Sequence, residues 1–183
     1  MATQGPLFPS SFNTTSLAPE NANDWLNTTN LSADDGSEAQ ITAATYDAGD
    51  ISFRLFTRGF GFSVPVGATI DGVVVEIERR CFAGAAADNR VQLTDDTGAL
   101  IGSNKATATA WPGTAGIATY GSSSDVWGAT LTPTIVNDAQ FGVVVSVAAS
   151  ANNTDIGIDF IRVTVHYTLG ATTTKVVAWI DED

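Results

Sequence analysis

The chain has 183 residues, of which 20 are acidic and 8 basic, and its net charge is −12 at pH 7. Such a surface repels polyanions, which excludes nucleic-acid binding through a basic patch. The single cysteine excludes an internal disulfide. No stretch approaches the ~18 apolar residues of a membrane span, and the start of the chain does not match a secretion signal. We therefore expect a protein that is made in a cytoplasm and does not enter a membrane.

Residues 1–36 show no sustained period and are rich in Pro, Asn, Ser and Thr. This composition predicts an extended N-terminal arm rather than a packed element. The arm would lie either along its own domain or along a neighbouring subunit or lattice. Its apolar side chains are the candidate partner contacts: Leu7, Phe8, Phe12 and Leu17.

From residue 37 to residue 168, one predicted strand follows another, with Gly, Pro and Asp-rich turns between them. The segment 110–128 is predicted to be mostly loop. Thr132 followed by Pro133 indicates a short helix near 133–139, with Thr132 as its N-cap. Residues 169–183 would form a last strand or a tail. We predict an all-β fold: a single antiparallel two-sheet sandwich, of which the jelly roll is one type.

The stretch "GATIDGVVVEIERRCF" (67–82) alternates between apolar and charged positions. Val73, Val75, Ile77 and Cys81 fall on one side, which is typical of the dry face of a strand, and the Cys81 thiol is expected to be buried. The opposite row, Glu76, Glu78 and Arg80, is predicted to be solvated or to contact a partner, and not to be catalytic.

Catalytic and metal-binding patterns are weak. His166 is the only histidine and has no nucleophile or second ligand near it in the sequence. Asp34, Asp35 and Asp47 could offer oxygens to calcium, but acidic residues in turns are more often turn formers. We therefore predict no enzyme activity, no catalytic residue, no cofactor and no bound metal.

Two loop tryptophans, Trp111 and Trp127, admit two interpretations. They could pin a long loop to the core, or they could be exposed as platforms for a glycan.

Four segments read together resemble a β-sandwich domain of small structural proteins of tailed bacteriophages: "DDGSEAQ", "FGFSVPVGATIDGVVVEIERR", "WGATLTPTIVNDAQFGVVVSV" and "FIRVTVHYT". The resemblance covers roughly residues 30–168, with Glu38 as a departure where an aromatic residue would be expected. It implies a virion component, and it carries over no catalytic residue.

The function expected from this resemblance is that of a capsid decoration (cement) protein. It would bind the outer head surface as a trimer and stabilise the major-capsid lattice. The alternative is a host-recognition module of the tail or fibre that binds a surface glycan, with Trp111 and Trp127 as its platform.

Overall fold

A computed structural model describes residues 1–20, 22–42 and 44–170. The predicted C-terminal strand or tail at 169–183 lies, beyond Gly170, outside the described residues. Within the described part, ten strands, one short α-helix and one 3-10 helix (Thr28–Ser32) form a two-sheet sandwich. The strands are β1 (Ala2–Leu7), β2 (Ser11–Thr15), β3 (Ala39–Thr42), β4 (Arg54–Arg58), β5 (Thr69–Ala83), β6 (Ala86–Thr94), β7 (Leu100–Ile101), β8 (Gly116–Gly121), β9 (Gly142–Ala149) and β10 (Asp155–Thr168).

Sheet A has the order β1-β10-β5-β8, and β3 pairs with β10 beside β1. Sheet B has the order β2-β4-β9-β6-β7. All of these pairings are antiparallel. The predicted all-β, antiparallel two-sheet sandwich is therefore confirmed. The finer assignment as a jelly roll stays a prediction.

The core lies between the sheets. The inward rows are mostly β-branched residues, which pack well on a pleated surface. They include Val73, Val75 and Ile77 of β5, as predicted, and all three are almost fully buried. The Cys81 thiol is also buried, as predicted, and burial raises its pKa.

The short helix, α1 (Pro133–Asn137), is confirmed close to its predicted position. Thr132 Oγ1 accepts a hydrogen bond from the Ile135 amide at 3.3 Å, as an N-cap residue should. The segment 110–128 is mostly loop, as predicted, but its residues Gly116–Gly121 form β8, which was not predicted. Gly116 and Gly121 at its ends give this strand a weak sequence signal.

The N-terminal segment lies along its own domain, which is one of the two predicted alternatives, but it contains paired strands, which corrects the prediction of an extended arm. Its first strand, β1, pairs with β10 at one edge of sheet A, and β2 pairs with β4 at one edge of sheet B. Its fold depends on pairing with strands far along the chain, which local composition does not reveal. Its two strands are therefore edge strands of the sandwich, β1 in sheet A and β2 in sheet B.

Candidate functional site

The candidate site lies on the outer face of sheet A, along β5. Because Val75, Ile77 and Cys81 point into the core, the alternate residues of the strand point outward. The outward row ends in Arg80 and Phe82. We call the surface around them the Phe82 face, defined by Phe82, Arg80, Glu38, Gln40 and Gly157.

Phe82, at 41%, is the one exposed aromatic residue among the described residues. The Arg80 guanidinium carbon lies 4.2 Å from the centroid of its ring. This cation–π contact holds the ring at the surface while leaving part of it in solvent. From the sequence, Phe82 was predicted only to lie at the end of a strand. The sequence feature that could have identified Phe82 as a surface residue is its position in the outward row of β5, two residues after Arg80.

Glu38 fixes Arg80 in place. Arg80 Nε donates to Glu38 Oε1 at 2.7 Å and Arg80 Nη2 donates to Glu38 Oε2 at 3.2 Å. Gln40 Nε2 also donates to Glu38 Oε2, at 3.2 Å. Three planar polar groups thus stand beside one exposed ring, each oriented by another. Glu38 is the residue at which the sequence departs from the phage pattern.

Gly157 makes room for this arrangement. It lies on β10, paired with Arg80 on one side and Gln40 on the other. A β-carbon at this position would stand 2.8 Å from the Glu38 carboxyl carbon and 2.9 Å from Phe82 Cε2. The missing side chain therefore allows Glu38 and Phe82 to approach each other over the strand.

The loop after Trp111 flanks the ring end of the site. The Cys81 amide donates to the Pro112 carbonyl at 2.8 Å, which sets the loop beside β5. Trp111 is only 5% exposed, and its Nε1 donates to Asp88 Oδ1 at 2.8 Å. Asp88 is in turn paired with the buried Arg79. These buried contacts of Trp111, Asp88 and Arg79 anchor the loop to the core.

The two tryptophans predicted as a glycan platform are therefore buried, which corrects that prediction. Trp127 is 0% exposed, and its Nε1 donates to the Val73 carbonyl at 2.9 Å. Both rings follow the other interpretation, because each uses its N–H to tie a loop to the core. The exposed ring is Phe82.

Three carboxylates lie next to the Phe82 face: Asp34, Glu78 and Asp159 each offer an oxygen within 4.8 Å of the others. Burial, and then the charge of neighbouring carboxylates, raises the pKa of Glu78. Burial likewise raises the pKa of Asp159, against a hydrogen bond from the Gly36 amide. Among the described residues this is the one group of three carboxylates close enough to share a cation such as Ca²⁺, and three side-chain oxygens are fewer than calcium usually takes. Asp47 is not part of it and accepts instead from the Asn153 amide.

The other predicted contact residues are spread over the molecule. Leu7 and Phe8 are half-buried at the end of β1, and Phe8 packs edge-on against Phe160. Phe12 packs against the core, and Leu17 is exposed. Glu76 is paired with Arg162 at 2.9 Å. Only Glu78 and Arg80 of the predicted set lie at or beside the Phe82 face.

His166 lies on the outer row of β10, beside Gly72, away from the Phe82 face. Among the residues that the structure describes, no helix is long and apolar enough to cross a membrane.

Comparison with known proteins gives one structural likeness. No family model matches the chain, and no curated protein matches it. The solved structure of TmCBM61, a carbohydrate-binding module in complex with β-1,4-galactotriose, matches with a TM-score of 0.45 and 12% identity, over 86% of this chain and 90% of that chain. A likeness this distant identifies no ligand for this protein.

The predicted capsid-decoration function is corrected by the structure. The N-terminal segment that was expected to bridge capsid subunits is built into the sandwich. We therefore do not retain this function. The phage resemblance, the trimer and the virion location stay predictions that nothing here tests.

Proposed function

We propose that this protein is a non-catalytic carbohydrate-binding domain whose ligand lies on the Phe82 face. The observation that carries the proposal is the exposed Phe82 ring beside the Arg80–Glu38 ion pair. Sugar rings present apolar C–H faces and polar hydroxyl edges. A protein site for them combines an aromatic ring with a few oriented hydrogen-bonding groups.

Phe82 would supply the apolar contact. A pyranose that covers its exposed part removes aromatic surface from water, which is the main favourable term in such a contact. The ring is already held by Arg80, so little side-chain freedom is lost when a ligand binds.

Arg80, Glu38 and Gln40 would read the hydroxyl groups. Arg80 offers donors only, Glu38 offers acceptors only, and Gln40 offers both. Because these groups hydrogen-bond one another in the free protein, they are oriented before the ligand arrives. Gly157 lets the Glu38 carboxylate lie beside the Phe82 ring, so that the polar groups and the apolar face are adjacent.

The proposal is tested by probing an array of neutral and acidic oligosaccharides with the labelled full chain and with Phe82→Ala. We expect a restricted set of glycans to bind the wild type and to be lost with Phe82→Ala. The matched control is Ile117→Ala, which removes another exposed apolar side chain of sheet A and should bind as the wild type does. Absence of any binding, or equal binding by Phe82→Ala, would contradict the proposal.

A further inference from the structure

Arg58 lies on the other side of the sandwich, on the outer face of sheet B. It is the last residue of β4, where Leu55 and Thr57 are buried and Arg54, Phe56 and Arg58 alternate with them. Its side chain is half-buried. Both sheets of the sandwich lie between this region and the Phe82 face, so any site here is a second one.

Arg58 differs from the other described cations. Lys175 lies outside the described residues; every other Lys or Arg except Arg58 forms an ion pair with a carboxylate: Arg54, Arg79, Arg80, Arg90, Lys105 and Arg162. In a chain with 20 acidic and 8 basic residues, carboxylates are plentiful. A cation that has none among the described residues is therefore unexpected.

The guanidinium of Arg58 is also short of acceptors. Among the described residues its one hydrogen bond runs from Nη2 to the Gly98 carbonyl, at 3.3 Å. Its Nε–H is buried and has no acceptor in the part of the chain that the structure describes. A buried donor that meets no acceptor costs stability, and such a group calls for a bound water, ion or ligand. Burial accordingly lowers the pKa of Arg58.

The surroundings hold Arg58 in one position. Its guanidinium carbon lies 4.5 Å from the centroid of the Phe56 ring. A β-carbon on Gly142 would stand 2.9 Å from Arg58 Cγ, and one on Gly98 would stand 3.0 Å from Nη2. The side chain thus runs over one glycine, stacks on an aromatic ring and ends beside a second glycine. Packing therefore fixes the position of the Arg58 side chain, although its charge is paired with no carboxylate among the described residues.

We propose that Arg58 is the anchor of a second binding site, on sheet B, for the carboxylate group of an acidic ligand. A guanidinium presents a planar fork of donors that matches a carboxylate, and the charge-assisted pair is about twice as strong as a neutral hydrogen bond. The half-exposed side chains of Phe56 and Gln92 lie on the same outer face. The net charge of −12 slows the approach of anions from a distance, so recognition depends on this local pairing.

The experiment follows the Nε–H signals of arginines by ¹H–¹⁵N NMR on the full chain. The probes are sodium glucuronate, sodium acetate, sodium sulfate and glucose at constant ionic strength. We expect the Arg58 signal to shift saturably with glucuronate and not with glucose, while the ion-paired Arg54 and Arg90 signals stay in place. Tighter binding of glucuronate than of acetate assigns the site to an acidic sugar, and equal binding assigns it to carboxylates in general.

Two variants separate ligand binding from a purely structural role. Arg58→Gln should weaken glucuronate binding about tenfold or more, because the charge-assisted pair is lost. Arg58→Met should leave the urea-unfolding midpoint unchanged or raise it, since the wild-type charge has no partner. Arg90→Met, which removes a paired cation, should lower the urea-unfolding midpoint. Phe82→Ala, which removes the proposed glycan site, should leave glucuronate binding at Arg58 unchanged.

The proposal would be overturned if the shifts failed to saturate, if sulfate bound more tightly than glucuronate, or if Arg58→Gln bound glucuronate as the wild type does. A loss of stability in Arg58→Met as large as that in Arg90→Met would also overturn it. Because the Phe82 face is tested separately, failure here leaves the proposed glycan function intact.

Discussion

Gly157 lies against the Phe82 ring, so that a β-carbon on it would stand 2.9 Å from Phe82 Cε2. Gly157→Ala should therefore move both the ring and the Glu38 carboxylate. We expect glycan affinity to fall about tenfold, which corresponds to about 1.4 kcal/mol. Isothermal titration calorimetry with a glycan selected from the array would measure the change.

The control for this substitution is Gly113→Ala in the flanking loop. A β-carbon there would meet only the Cys81 carbonyl, at 4.0 Å. Its affinity should stay within twofold of the wild type. If Gly157→Ala bound equally well, Gly157 would have no part in shaping the site.

Glu20 is predicted to be a major determinant of stability. It is 0% exposed on the outer face of sheet B, paired with Arg54 at 2.5 Å and with Arg90 at 2.6 Å. Glu20→Gln leaves two arginines without their carboxylate, which should cost about 3 kcal/mol in the free energy of unfolding. Urea denaturation would measure it. The half-exposed pair Glu76–Arg162 is the matched comparison, and Glu76→Gln should cost less than about 1 kcal/mol.

The same substitution has a defined pH dependence. Burial raises the pKa of Glu20, but hydrogen bonds from Arg90, Ser146 and Arg54 outweigh it and hold the pKa below its ordinary value of 4.5. The stabilisation by ionised Glu20 is therefore full above pH 4.5 and is lost as the pH falls through the lowered pKa of the folded state. The difference between wild type and Glu20→Gln should shrink below pH 4.5. A constant difference down to pH 2 would contradict this assignment.

The ionisation of Glu78 should affect stability in the opposite direction to that of Glu20. Burial and the charges of Asp159, Asp34 and Glu38 raise its pKa in the folded protein. Ionised Glu78 thus costs stability at neutral pH, and this cost is relieved as the pH falls through the raised pKa. We expect Glu78→Gln to be more stable than the wild type at pH 7, by less than about 1 kcal/mol, with the difference vanishing below pH 4.5. Thermal unfolding in buffer with EDTA would measure it, and a destabilised Glu78→Gln would sink the prediction.

Trp111 is expected to act on stability and loop position rather than as a sugar platform. Trp111→Phe keeps most of the buried ring but removes the Nε1–H that donates to Asp88. Losing one donor to a buried carboxylate should cost about 1–3 kcal/mol. Hydrogen exchange would report weaker protection of the Cys81 amide, which donates to the Pro112 carbonyl. Unchanged stability and exchange would show that Trp111 does not anchor this loop.

Much of the fold could be predicted because its signals are local. The alternation of Val73, Val75 and Ile77 with charged residues reports a strand with one buried face. Thr132 and Pro133 report a helix start for the same kind of local reason. The exception within β5 is Arg79, which lies in the inward row and is buried against Asp88. A pattern rule has no way to place a charge in the core, because its partner is on another strand.

The site could be predicted only in part, because it depends on contacts between distant segments. Arg80 was placed correctly on the outer row of β5. Glu38 and Gly157, which complete the Phe82 face, lie 42 and 77 positions away from Arg80 in the chain. The choice of Trp111 and Trp127 over Phe82 followed residue type, whereas exposure is decided by packing. The N-terminal segment was misjudged for the same reason, since its strands pair with β4 and β10.

The most direct test of the central claim is to map glycan binding onto the structure by ¹H–¹⁵N NMR of the full chain, using a glycan that the array selects. The account predicts that the shifted amides cluster at residues 38–40, 80–82, 111–113 and 157, and that Phe82→Ala removes these shifts without changing the rest of the spectrum. Shifts concentrated on sheet B or elsewhere away from β5 would contradict the assignment of the ligand to the Phe82 face.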